Sequence, residues 1–326
     1  MGSTSAVSQL YTEIKNAGSI LFTGPMDPDG DSIGACLALC RVAQRVSNAV
    51  VHVAGEANYR YDWMPQADTL LSDRDLQSQY DLVVVMDGDR TRLTKTVTDL
   101  FNRATRTALV DHHRSSSTTG YDVAILDPDS PSTCELVYRM LQSWGESLDP
   151  DMAAHLYTGI IFDTGGFKHE NTRPDTHLLA AKLLDLGVSP APVHAKVLHE
   201  RTSGGLRLLG EVLGAAQFYG DGQVVVGVIT EEAVRRLNIA SGDTEGIVDA
   251  LLNTAGVEVA VLVKESGKSV VKLSLRSKTR VNVADIARQL HEGGGGHVRA
   301  AGCRVPCSVD ALMQDLPHIL TEAVLS

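Results

Sequence analysis

No run in the 326 residues approaches the roughly 18 uninterrupted apolar positions that a membrane-spanning helix needs. The opening MGSTSAVSQLYTEIKNAG lacks both a basic segment and an apolar core, so neither a signal peptide nor a membrane anchor is expected. Positive charge is scarce, with 29 Lys and Arg against 40 Asp and Glu, and aromatic residues make up only 5% of the chain. The resulting net charge of −11 repels polyanions, and no basic or aromatic track is present on which a long single strand could stack. The cysteines number only five, without zinc spacing or a disulfide framework. Cys36, Cys40 and Cys134 fall in helical segments and Cys303 and Cys307 near a C-terminal strand. They read as small buried hydrophobes in a reducing cytoplasm.

With 43% hydrophobic residues and a length of about two domains at roughly 150 residues each, the chain reads as an ordinary globular α/β protein. Between residues 19 and 190, β-rich runs at 19–24, 49–55, 81–87, 107–113 and 122–126 alternate with helical patterns at 32–46, 131–144, 151–162 and 175–186. That alternation predicts a mostly parallel sheet flanked by helices, with its chemistry at the carboxyl ends of the strands. Residues 190–217 read as helix, so a catalytic domain over 1–190 is expected to pass through a helical linker at 191–217, softest at Ser203-Gly204-Gly205. A smaller α/β domain over 218–326 follows. Its predicted strands are 223–230, 257–265 and 269–277, the last two joined by a Ser266-Gly267-Lys268 turn, and its helices 231–238, 243–254, 283–291 and 308–324.

Acidic and histidine clusters stand at the ends of three predicted strands. They are Asp27-Pro28-Asp29-Gly30-Asp31, Asp87-Gly88-Asp89 and Asp111-His112-His113, and a predicted helix delivers Asp163 before Thr164-Gly165-Gly166. Taken singly, a D-P-D-G-D run is most often a solvated turn with a helix cap. Four separated segments bringing carboxylates or imidazole to element ends change that reading. Without a cation such carboxylates would repel one another, and an oxygen-rich set with histidine suits manganese or magnesium better than zinc. Two ions roughly 3.5–4 Å apart can activate water and clamp a phosphoryl oxygen. A fifth constellation, His291-Glu292 followed by Gly293 to Gly296 and His297, lies between a predicted helix and a strand. Glycine amides there can approach a phosphate, His297 adds a donor, and Arg276 offers a bidentate contact to the same anion.

In this order, DPDGDSIGA, VVMDGD, VDHH, DTGGF, SLRSK and GGGGHVRAAG resemble the motifs of the DHH/DHHA1 phosphoesterases. The chain is most similar to the stand-alone oligoribonuclease and pAp phosphatase type, the nanoRNases, and to the related cyclic-dinucleotide phosphodiesterases. The resemblance implies an N-terminal DHH domain, a C-terminal DHHA1 domain and an active site in the cleft between them. It implies two Mn²⁺ ions, with Mg²⁺ as the alternative: Asp29 on the first, Asp31, His112 and Asp163 on the second, and Asp87 bridging both. It places His113 beside the scissile phosphate, with Asp111 orienting the histidine pair. Arg276, Ser277, Gly294, Gly295, Gly296 and His297 would hold the nucleotide's terminal phosphate or base. The implied activity is hydrolysis of very short oligonucleotides or linear dinucleotides such as pGpG and pApA, with pAp as a further substrate. A cyclic-dinucleotide phosphodiesterase and a nucleotide-binding module with an impaired metal site are the alternatives. A cytoplasmic enzyme is expected, with a homodimer as the candidate assembly and no room ahead of the first strand for the sensor domains of membrane-bound relatives. At one position the sequence departs from the family. Where a histidine ligand usually stands, four residues before Asp29, this chain has Pro25, which offers no donor atom; either Asp27, two residues on, substitutes for it or the first ion holds more water.

Overall fold

Unbroken apolar runs along the inner strands give the first sheet two covered faces. The computed structural model describes residues 2–267 and 269–325, and the chain divides into two compact units, Met1–Glu200 and Arg201–Ser326. In the first unit the order is α1 (Gly2–Asn16), β1 (Ser19–Thr23), α2 (Gly30–Val46), β2 (Val50–Ala54), β3 (Leu82–Met86), α3 (Lys95–Arg103), β4 (Arg106–Asp111), β5 (Val123–Leu126), α4 (Thr133–Trp144), α5 (Pro150–Asp163), α6 (Pro174–Asp185) and α7 (Pro190–His194). All five strands are parallel, in the order β2-β1-β3-β4-β5. Ile20, Phe22, Leu82, Val84, Ala108 and Val110 face a core shared with α2, α4 and α5. The intervening Leu21, Val83, Val85 and Leu109 face α3 through Val97, Leu100 and Phe101. This period of two is what a strand buried on both faces requires.

The strand order positions the site. Because β1 lies between β2 and β3, the chain leaves it to one side and returns on the other, opening a crevice at the carboxyl ends of β1 and β3. The clusters around Asp29, Asp87 and Asp111 all lie on that edge, after β1, β3 and at the end of β4.

The second unit contains α8 (Ser203–Gly214), β6 (Gln217–Tyr219), β7 (Val224–Ile229), α9 (Glu231–Arg236), α10 (Ile247–Leu252), β8 (Val259–Glu265), β9 (Val271–Ser277), α11 (Val283–Leu290), β10 (Gly295–His297), β11 (Ala300–Val305) and α12 (Val309–Leu325). Its mixed sheet runs β10-β11-β9-β8-β7-β6, with only β7 and β8 parallel. One face packs on α11 and α12 and the other on α8 and α10. β8 and β9 form the expected hairpin, closed by the Ser266 amide donating to Val270 O at 2.8 Å. Lys268 of its predicted turn lies outside the described residues.

Several features differ from the sequence expectation, among them the short strands β6 and β10. Helix α1 was not foreseen, although Leu10 and Ile14 are fully buried and Tyr11 stacks on Trp144 at 4.9 Å. The continuous helix expected over 190–217 is interrupted. A π-helical turn at Ala195–His199 follows α7, the chain extends at Glu200, and Thr202 caps α8 by accepting from the Gly205 amide. Val193 and Val197 belong to the core of the first unit, whereas Leu208 and Val212 belong to the second, and the division between the units falls inside the segment, after Glu200. Ser203-Gly204-Gly205 is not a soft spot either. A Cβ at Gly204 would lie 2.4 Å from Leu237 O and one at Gly205 2.4 Å from an Asp243 carboxylate oxygen, so these glycines permit close packing.

Candidate metal centre

The loop after β1 delivers Asp29 as the N-cap of α2. Its Oδ1 accepts the amides of Asp31 and Ser32, both at 3.1 Å, and its own amide donates to Ser32 Oγ. Asp31, in the first turn of the helix and fully buried, receives the first amides of α4. Thr133 N donates to Oδ2 at 2.6 Å and Cys134 N to Oδ1 at 2.9 Å. A carboxylate at a helix N-terminus meets unsatisfied donors and the positive end of the helix dipole. Asp87 follows β3 with φ 59°, a left-handed conformation that costs a non-glycine residue about 1–2 kcal/mol. The Thr133 hydroxyl donates to its Oδ1 at 3.0 Å.

At the end of β4, His112 Nδ1 lies 3.0 Å from the Ser130 carbonyl. A carbonyl only accepts, so Nδ1 carries the proton and Nε2 is turned to the carboxylates. It lies 2.9 Å from Asp163 Oδ2, 3.6 Å from Asp87 Oδ1 and 4.0 Å from Asp31 Oδ2. Asp163 closes α5, and its carbonyl accepts from Asn171 Nδ2 at 3.2 Å. His113 Nδ1 bonds to Asp111 Oδ1 at 2.8 Å.

Burial, reinforced by the neighbouring carboxylates, pushes Asp31 and Asp87 up to about 7 and Asp29 well above the carboxylate range. Burial alone would depress His112, but Asp163 beside it, with Asp87 and Asp31, raises it well above the ordinary imidazole value. Asp111 behaves in the opposite way. Burial raises it, yet the bonds from His113 outweigh that and hold it at about 2. The seven expected residues of the first unit, Asp29, Asp31, Asp87, Asp111, His112, His113 and Asp163, thus come together on one edge of one sheet. Pro25 is buried, and Asp27 is exposed.

The expected substrate residues all lie in the second unit. Arg276 pairs with Ala300, which pairs with His297, so the Arg276 and His297 side chains rise from the same face two strands apart. Asp249 Oδ1 lies 3.5 Å from Arg276 Nε. Ser277 points to the opposite face. It is buried, and its hydroxyl donates to Val281 O at 2.6 Å, which shapes the loop behind Arg276. The glycine run is only partly loop, since Gly295 and Gly296 belong to β10. Sterics demand two of these glycines: a Cβ at Gly294 would lie 2.0 Å from Ala287 O, and Gly296, with φ 139°, would place one 2.5 Å from Ala300 O.

The DHH family N-terminal domain matches residues 19–160, and the DHHA1 domain matches residues 221–323. The chain belongs to the DHH/DHHA1 family. It is 29% identical over 297 residues to the bifunctional oligoribonuclease and PAP phosphatase NrnA of Thermus thermophilus, covering 90% of this chain and 87% of that protein. It is 26% identical over 337 residues to the cyclic-di-AMP phosphodiesterase GdpP of Bacillus subtilis, covering 97% of this chain and 49% of that protein. In fold it is similar to an exopolyphosphatase-related protein from Bacteroides fragilis, with a TM-score of 0.85 at 24% identity, covering 98% of this chain and 96% of that one.

DHH family enzymes depend on metal ions, and the donor set of this DHH domain fits divalent cations. One ligand atom from each of Asp31, Asp87 and His112 lies within 4.8 Å of the others, all three residues being buried. Oxygen donors dominate, the His112 tautomer presents Nε2, and the raised carboxylates mark a centre that calls for positive charge. Thr133 was missed from the sequence. Ser132-Thr133-Cys134-Glu135 carries the S-x-x-E signature of a helix start, but nothing local says that this start meets Asp31 and Asp87.

Proposed function

We propose that this protein is a two-metal phosphodiesterase that releases nucleoside monophosphates from very short oligonucleotides and linear dinucleotides such as pApA and pGpG, and that it also dephosphorylates pAp. The observation that carries this reading is the convergence of Asp31, Asp87 and His112 on one buried point of the crevice. The similarity to an oligoribonuclease and PAP phosphatase over nine tenths of the chain supports the substrate class. Asp29 and Asp87 would hold the first Mn²⁺, and Asp31, Asp87, His112 and Asp163 the second. Bound there, the pair would activate water and clamp a phosphoryl oxygen.

The chain's own residues do the rest. Asp111 holds the His113 ring in one orientation, with Nε2 left to give a proton to the leaving oxygen or to steady charge on the phosphate. Arg276 and His297, on one face of the DHHA1 sheet, hold the nucleotide's terminal phosphate or base, and Ser277 and the glycines shape the backbone around them. The enzyme acts in the cytoplasm, where its five free cysteines, four of them buried, stay reduced.

The test is a substrate panel of pApA, pGpG, pAp, cyclic-di-AMP and a long single strand, each with Mn²⁺, with Mg²⁺ and with chelator. Mononucleotides from the linear dinucleotides with Mn²⁺ are expected, with little turnover of the long strand. Absence of any product with either ion overturns the proposal. The similarity to GdpP favours one second reading, and preferential cleavage of cyclic-di-AMP would establish it.

A further inference from the structure

We infer that Thr133 is a positioning residue of the metal centre, gripping Asp31 with its backbone and Asp87 with its side chain so that the two carboxylates keep one fixed relation. The inference rests on the two-metal reading above. Thr133 is the first residue of α4 and is fully buried. Its amide donates to Asp31 Oδ2 at 2.6 Å and its Oγ1 to Asp87 Oδ1 at 3.0 Å. Asp31 arrives on α2 and Asp87 on the loop after β3, so a single residue of a third element ties together two aspartates assigned to the same ion. That residue is well suited to the task. The helix start sets its backbone, the Ser132 side chain caps that start by accepting from Glu135 N, and a β-branched side chain is stiff at χ1.

The Asp87 oxygen that Thr133 grips is also the one that faces the histidines, 3.6 Å from His112 Nε2 and 3.7 Å from His113 Nδ1. Holding Oδ1 therefore fixes the rotation of the Asp87 carboxylate on a backbone that is itself left-handed. Without the hydroxyl, a buried carboxylate turns toward another donor, and its alignment with Asp31 is lost. Asp31 stays anchored in that case, because the amides of residues 133 and 134 remain. The effect should thus appear in ion uptake and not in folding. Partners that orient ligands without touching the ion typically change metal affinity by 10–100-fold.

Thr133→Val removes the donor and keeps the shape, whereas Thr133→Ser keeps the donor. In the full chain, Mn²⁺ affinity is measured by titration calorimetry, bound stoichiometry by electron paramagnetic resonance, and the unfolding midpoint without metal. Thr133→Val is expected to bind Mn²⁺ roughly 10–100-fold more weakly with an unchanged midpoint, and Thr133→Ser to stay within about threefold of the parent. Parental affinity in Thr133→Val overturns the inference and leaves the metal reading standing. A Thr133→Ser protein as weak as Thr133→Val also overturns it, since the methyl group would then be the operative contact. Equal Mn²⁺ binding by the parent and Asp87→Ala brings down the metal reading itself. Should Thr133→Val fail to fold, Thr133→Ser against Thr133→Ala makes the same comparison.

Discussion

Asp111 Oδ1 accepts the His113 ring nitrogen at 2.8 Å, and the same oxygen takes the backbone amides of His112 at 2.7 Å and His113 at 3.1 Å. A single buried oxygen holds the backbone of both histidines and the ring of His113, while the Ser130 carbonyl turns the His112 ring to the carboxylates.

The first prediction follows from that arrangement. Asp111→Asn keeps the size and an acceptor but loses the charge that holds the His113 ring. The kcat on pApA should fall by roughly 10–100-fold while bound Mn²⁺ is retained, as expected for a group that acts through its neighbour. Parental kcat in a folded variant would remove Asp111 from the mechanism.

Gly159 of α5 packs directly against the site. A Cβ there would lie 2.3 Å from Cys134 Sγ and 2.5 Å from Asp31 Oδ1. Gly159→Ala should lose about 1–3 kcal/mol of stability by overpacking and weaken Mn²⁺ uptake with it. The contrast is Gly210→Ala in α8, where a Cβ meets nothing within 4 Å and the gain in helix propensity should stabilise by about 0.5–1 kcal/mol. Denaturant unfolding of both variants checks the pair, and equal stability of Gly159→Ala and the parent contradicts the packing.

Arg276 stands in the DHHA1 domain with its Nε 3.5 Å from Asp249. If it holds a substrate phosphate, Arg276→Ala should weaken substrate binding by about 1.5–3 kcal/mol, the worth of a charge-assisted bond. The change should appear as a higher KM for pApA with unchanged Mn²⁺ stoichiometry. Unchanged KM would leave Arg276 as a surface residue paired with Asp249.

His155 supplies a pH dependence away from the carboxylates. Burial pushes its imidazole down to about 4, although its Nε2 bonds to Pro65 O at 2.8 Å. Between pH 6.5 and about 4 the unfolded chain binds a proton that the folded chain refuses. The contribution of neutral His155 is therefore complete above pH 6.5 and is lost as pH falls toward 4, in total about 3 kcal/mol. His155→Gln should flatten the pH dependence of the unfolding free energy over that window. Parallel curves for variant and parent would show that His155 does not contribute it.

Much of this protein was legible in one dimension. The five strands of the DHH domain match the β-rich runs to within one or two residues at each end, because side-chain alternation and turn chemistry are local properties. The carboxylates and histidines of the candidate site stand out in the sequence for a related reason, since they flank the ends of strands and helices. Helix α1 could have been read from Leu10 and Ile14, four residues apart, but so short an apolar stripe gains its meaning only from the core it meets. The tertiary structure alone decided the rest. It turned Ser277 inward to Val281, made Gly204, Gly205 and Gly294 answer to backbone and side-chain atoms of other segments, and brought the start of α4 onto an aspartate 102 residues away. Such contacts depend on which elements the packed sheet places side by side, and no pattern within a single segment encodes that juxtaposition.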